Sequence, residues 1–232
     1  MMAAIVPNPI LQKQLLVPKK YATGGTILGC ELALEQGWAI NLSGGYHHAK
    51  ADSGGGFCFF ADVPIAVKKL WEEKPDLSVM IVDLDAHQGN GNAAIFGDDP
   101  RVSIFDVFNG HIYPGDYVAA QYVEYNHPVK MYIGDGEYLG LLKMELPAAI
   151  DESAPGLVIY NAGTDILKGD MLGGMSITAE GIVKRDEIVF RCAVERKIPI
   201  LMLLSGGYTR RSAKIIGRSI ENILINVLEV RI

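Results

Sequence analysis

The apolar positions of this chain follow two rhythms. Short β-prone runs occupy residues 38–42 (WAINL), 79–82 (VMIV), 101–105, 157–160 (LVIY) and 200–204 (ILMLL), with a weaker run at 129–133. Runs this short, bounded by turn residues, fit buried strands. Between them, apolar residues recur at helical spacing. Residues 23–36 carry Ile27, Leu28, Leu32 and Leu34 and stop at Gly37, a good helix terminator. Asp62 reads as an N-cap with Pro64 in the first turn, and that helix should end near Lys74, before Pro75. Residues 138–151 read as helical, with Pro147 expected to kink or break them. Thr178 can cap a helix running to about Lys197. A last helix places Ala213, Ile216, Ile220, Ile223, Leu224 and Val227 on one buried stripe. Strands alternating with helices predict an α/β fold: a mainly parallel sheet with helices on its faces. Residues 1–22, with Pro7, Pro9 and Pro18, are expected to form an irregular leader to one domain over 23–232.

The polar residues just past each strand carry more chemistry than the strand itself. In open α/β sheets, ligands bind beyond the carboxyl ends of parallel strands. WAINL is followed by Tyr46-His47-His48, and VMIV by Asp83, Asp85 and His87. LVIY leads to Asp165, and ILMLL to Gly206-Gly207-Tyr208. Parallel strands would bring all four sets to one edge. Asp85 and His87, two apart where a strand ends, can aim at one point with Asp165. An oxygen and nitrogen set of this kind suits zinc and leaves coordination positions open for catalysis. His47 and His48 supply acid/base groups, with Asp83 as a partner that fixes a tautomer. Tyr208 can donate to a developing oxyanion. Gly56, Phe57 and Tyr113 lie on loops that can line a channel. Each feature has a plainer alternative: a solvated strand end, a surface turn, a helix cap or a packing aromatic. His111 reads as structural and His127 as exposed.

Composition narrows the setting. The 232 residues suffice for one large domain, and the net charge of −6 argues against a direct nucleic-acid binder. Three scattered cysteines, Cys30, Cys58 and Cys192, suggest a reducing compartment. No stretch is long and apolar enough for a membrane span, and the N-terminus lacks signal-peptide character, so an intracellular protein is expected.

The strings GGYHHA, GGGFC, VDLDAHQGNG, HIYPGD, NAGTDILKGD and LLSGGY together resemble the zinc-dependent histone deacetylase family. DLDAHQGNG with HIYPGD and GIVKRDE is most similar to its class IV branch, typified by histone deacetylase 11. The likeness runs from Thr23 to the last helix. It implies an arginase-like three-layer α/β/α fold and hydrolysis of acyl groups, acetyl or longer, from lysine in proteins, histone tails among them. It implies Zn²⁺, or Fe²⁺, on Asp85, His87 and Asp165, with His47, His48, Asp83 and Tyr208 as the catalytic set. Phe57 and Tyr113 match channel walls. A structural K⁺ or Na⁺ is implied at Asp83, Asp85, His87 and Asp106. A nuclear or cytoplasmic location is implied by the same likeness. Asn90 stands where some branches have Asp behind the second histidine, so His48 should titrate lower here. The family's first two strands are expected to be missing, which leaves WAINL at a sheet edge. The competing expectation is a truncated, inactive binding module.

Overall fold

The structure, a computed structural model, describes residues 7–230. Its strands are β1 (Trp38–Asn41), β2 (Val79–Asp83), β3 (Val102–Asn109), β4 (Tyr125–Val129), β5 (Leu157–Asn161) and β6 (Ile200–Leu203). Its helices are α1 (Asn8–Leu11), α2 (Val17–Gln36), α3 (Asp62–Trp71), α4 (Asn90–Phe96), α5 (Tyr117–Ala120), α6 (Asp135–Ser153), α7 (Ala179–Glu195) and α8 (Ser212–Asn226). All neighbouring strands pair in parallel, in the order β1-β6-β5-β2-β3-β4.

Alternation along the strands builds the layers. Val79 and Ile81 of β2, Leu157 and Ile159 of β5, and Leu201 and Leu203 of β6 face α2, α3 and α4. Their neighbours Met80, Val82, Val158, Tyr160, Ile200 and Met202 face α6, α7 and α8. Strands buried on both sides read as continuous apolar runs, as these do. The helix α2 comes close to the sheet through a stripe of small residues, Thr26, Gly29, Cys30 and Ala33. A Cβ on Gly29 would lie 2.7 Å from Leu201 Cδ1, so a larger residue would have to push that leucine aside. Strand β1 is a sheet edge, and Leu42 just beyond it is 71% exposed.

Several sequence expectations need correction. Residues 8–36 are helical rather than an irregular leader, through a π-helical turn at Gln12–Leu16; residues 1–6 of that expected leader lie outside the described residues. Pro9 stands in the first turn, where a missing N–H costs nothing, and Pro18 lies directly after the π-helical turn, inside the helical run. Helix α6 continues through Pro147, held by burial of Tyr138, Leu142, Leu146 and Ile150 on both sides of it. The weak strand lies at Tyr125–Val129, not 129–133. Pro128 fits there because β4 is an edge strand, where one missing donor is tolerated. His127, expected exposed, is half-buried with its ring 4.9 Å from that of Phe105. The buried stripe of α8 is Ser212, Ile215, Ser219 and Ile223; Ala213 faces solvent. Asp62 is not a cap: it begins α3 and turns its carboxylate elsewhere.

Candidate metal centre

The chain lays down β2, β3 and β4 outward in one direction, then returns to place β5 on the other side of β2. The crevice between β2 and β5 is therefore the switch point of the sheet, where α/β folds collect ligands. Asp85 and His87 leave β2, and Asp165 follows β5. Their ligand atoms all lie within 4.8 Å of one another, and all three residues are buried. His87 Nδ1 is 3.0 Å from Asp85 Oδ1 and 2.9 Å from Asp165 Oδ2.

Gly206, after β6, closes the cradle. Its N–H donates to Asp85 Oδ2 at 2.9 Å. A Cβ there would lie 2.5 Å from Asp85 Oδ2 and 2.7 Å from Asp165 Oδ2. Two buried carboxylates around one imidazole, with a glycine holding side-chain volume away, fit a divalent ion of zinc or ferrous type. The electrostatics agree. Burial opposes protonation of His87, yet Asp165 and Asp85 outweigh it and push its pKa up to about 10. Burial and then the Asp85 charge push Asp165 up to about 7. The buried carboxylates thus favour a positive charge between them.

The tandem histidines enter from the turn after β1. Gly44 and Gly45 have φ of 82° and 77°, a sharp left-handed turn. Asp62 holds that turn, accepting from the Gly45 N–H at 2.9 Å, the Tyr46 N–H at 2.8 Å and the Thr26 hydroxyl at 2.7 Å. His47 Nδ1 pairs with Asp83 Oδ2 at 2.8 Å, and its Nε2 is 3.6 Å from Asp85 Oδ1. Burial disfavours its charged form, but Asp83 and Asp85 push the pKa up to about 9. His48 Nδ1 pairs with Asn90 Oδ1 at 2.9 Å. Burial and then the His47 charge bring its pKa down to about 3. The two imidazoles, 4.0 Å apart by centroid, are thus driven in opposite directions.

A cavity of about 160 Å³ opens onto this cluster, lined by Lys19, Tyr46, His47, His48, Gly56, Phe57, Asp85, Gly206 and Tyr208 among others. Tyr113 meets His48 edge-on at 5.0 Å, and Phe57 stands 6.1 Å from Tyr208. Phe57, Tyr113 and Tyr208 are about half exposed or more, so they form the mouth. Burial, then Asp85 and Asp165, hold the Tyr208 phenol well above its ordinary range, so it stays a donor. Beneath β2, Asp83 and Asp106 are register partners and both are fully buried. Asp106 Oδ2 accepts from the Gly89 N–H at 2.9 Å, and Oδ1 is buried without a partner. Burial and the Asp83 charge raise the Asp106 pKa, as two adjacent carboxylates require.

Four supports escape a reading of the sequence alone. Arg185, fully buried in α7, bonds Asp186 and donates to the carbonyls of Leu84, Ala162 and Gly163, next to the candidate ligands Asp85 and Asp165. Asn161 Nδ2 donates to Asp83 Oδ1 at 2.9 Å. Asp170 accepts from the Tyr208 N–H at 2.8 Å. Asp116 accepts from Asn90 Nδ2 at 3.1 Å. All four lie in the quoted strings, Asn161 and Asp170 at the two ends of NAGTDILKGD, Arg185 in GIVKRDE and Asp116 at the end of HIYPGD, but nothing in those strings states what each one touches.

Residues 6–224 match the model of the histone deacetylase domain. The chain is 49% identical over 220 residues to Histone deacetylase 2 of Arabidopsis thaliana, covering 95% of this chain and 57% of that protein. It is 31% identical over 201 residues to Histone deacetylase 1 of Homo sapiens, covering 82% of this chain and 40% of that one. The crystal structure of the HDA15 HD domain superposes with a TM-score of 0.75 at 23% identity, over 88% of this chain and 61% of that one. The chain thus spans between two fifths and two thirds of the length of these relatives.

Proposed function

The chain belongs to the histone deacetylase family, and on that premise we propose that it hydrolyses the acyl amide of N6-acyl-lysine in proteins. The observation that carries the reading is the convergence of Asp85, His87 and Asp165 at the switch point, beside two histidines with different partners. We assign these three residues to a divalent ion, Zn²⁺ or Fe²⁺. When bound, such an ion supplies Lewis acidity and brings the pKa of water toward ~7.

The chain's own groups do the rest. Asp83 anchors His47 at Nδ1 and keeps it charged or strongly hydrogen-bonded. His48, held neutral, accepts the proton of the attacking water and later returns it to the departing lysine amine. The Tyr208 hydroxyl donates to the acyl oxygen as charge builds there. Gly56, Phe57 and Tyr113 clasp the aliphatic stem of the lysine and thin the water around the amide. Asp83 and Asp106, with main-chain carbonyls of residues 83, 85 and 87, form a site for K⁺ or Na⁺; the unpartnered Asp106 Oδ1 supports this assignment.

The class IV wording of DLDAHQGNG and HIYPGD keeps long acyl groups in view beside acetyl, and an acylated histone tail is one candidate substrate. Among the described residues no helix is long and apolar enough to cross a membrane, and the reading places the protein in nucleus or cytoplasm. The test is turnover of acetyl- and long-acyl-lysine peptides, with metal content and thermal melt measured on the same sample. A folded, metal-loaded chain that hydrolyses neither peptide overturns the proposal.

A further inference from the structure

Asn90 is an ambiguous partner for a general base. A carboxylate behind an imidazole accepts only, so it dictates which ring nitrogen carries the proton. An amide can be turned either way. With its oxygen toward His48, the ring is protonated at Nδ1 and Nε2 is free to take a proton. With its NH₂ toward His48, Nδ1 must accept, Nε2 carries the hydrogen, and the ring is useless as a base at that nitrogen.

Asp116 removes the ambiguity. Its Oδ2 lies 3.1 Å from Asn90 Nδ2, and a carboxylate there has no proton to give. A turned amide would set oxygen against oxygen at that distance. The carboxylate is itself fixed from several sides. Oδ1 caps α5 through the Ala119 N–H at 3.0 Å, and Oδ2 pairs with Lys50 Nζ at 3.0 Å. Gln88 clamps the Asp116 backbone by donating Nε2 to its carbonyl and accepting from its N–H, both at 3.1 Å. Lys50 comes two residues after His48 and Gln88 two before Asn90, so the segments carrying both partners of the dyad are tied to the same residue, Asp116. The Ala119 N–H first, then Asn90 and Lys50, keep Asp116 at a pKa of about 2, so it stays an anion.

We infer that Asp116 is a positioning residue: through the amide of Asn90 it fixes His48 as the Nδ1–H tautomer, leaving Nε2 to act as the base. The two residues together replace a single carboxylate. This deepens the deacylase reading, and its spectroscopic arm stands without it.

The experiment uses the full chain, labelled with ¹⁵N-histidine, and reads tautomers from long-range ¹H–¹⁵N couplings; loss of signals in His48→Ala assigns the ring. Wild type should show a single Nδ1–H ring at His48. Asp116→Asn retains a good helix cap but can offer Asn90 either an acceptor or a donor. It should mix the tautomers and lower kcat on an acetyl-lysine peptide about 10- to 100-fold with KM nearly unchanged. Adding Asn90→Asp to Asp116→Asn puts an acceptor-only group behind His48 and should restore both the tautomer and kcat. Asn90→Asp alone sets two carboxylates together and should do worse than the double variant. An Nε2–H ring in wild type overturns the inference, as does an unchanged His48 in Asp116→Asn or a double variant without rescue. If wild type turns over no acyl-lysine, the deacylase reading fails while the tautomer measurement still decides this one.

Discussion

Arg185→Met tests whether the helix layer braces the metal cradle from behind. Arg185 is fully buried, its Nε 2.8 Å from Asp186 Oδ1 and its Nη1 3.1 Å from the Leu84 carbonyl. It also donates to the carbonyls of Gly163 and Ala162. Methionine fills similar volume but leaves Asp186 with only the Tyr160 and Ser219 hydroxyls. Breaking a buried ion pair on one side costs about 3–5 kcal/mol. Three buried carbonyls lose a donor as well, at about 1–3 kcal/mol each where water cannot replace it. These losses overlap, so about 3–5 kcal/mol is taken for the whole, a large part of a typical stability of about 5–15 kcal/mol. At about 2–4 °C per kcal/mol for a chain of this size, the melting temperature should fall by about 6–20 °C. Arg185→Met with Asp186→Asn buries no uncompensated charge and should recover several degrees. Metal affinity, read by competition with a chromophoric chelator, should drop about 10- to 100-fold, because the freed carbonyls adjoin Asp85 and Asp165. A melt within about 2 °C of wild type, with unchanged metal affinity, would refute the reasoning.

Other outcomes rest on the same geometry. Tyr208→Phe removes the donor proposed for the acyl oxygen and should lower turnover about 100- to 1,000-fold while metal content by mass spectrometry stays at the wild-type level. Gly206→Ala drives a methyl between Asp85 and Asp165, so elemental analysis should find the purified variant largely free of divalent metal although it still folds. The folded Asp116 pKa of about 2 lies below its unfolded value of about 3.9, so its stabilisation is complete above the unfolded value and is lost as pH falls toward 2. Melts from pH 5 to pH 2 should therefore fall less steeply in Asp116→Asn than in wild type.

Part of the fold and site is legible in the sequence because alternation and strand-end chemistry are local. Asp85 and His87 declare themselves by spacing, and the glycine turns mark where strands stop. Supports that act from a distance show no such spacing, even where they fall in a string such as GIVKRDE. Arg185 and Asp186 sit in a helix whose pattern would suit a solvated charged face equally well, and only packing under β2 and β5 gives them their role. Asp62 resembles a cap because an acid before an apolar helix usually is one; the turn 17 residues upstream claims it instead. Pro147 misleads because tertiary burial in α6 outweighs what proline does to an isolated segment.

The placement of Asp85, His87 and Asp165 in buried turns directly beyond the two innermost strands has a dynamic consequence. Amide exchange in a sheet is slowest at its centre, where opening demands the global transition, and fastest at loops and frayed ends. Phe57, at the exposed mouth, can breathe at little energetic expense, whereas the buried turns of the cradle are tied to the ends of β2 and β5 and move only with them. Stripping the ion with a chelator should thus leave a preformed receptor that reloads in seconds, without a refolding phase.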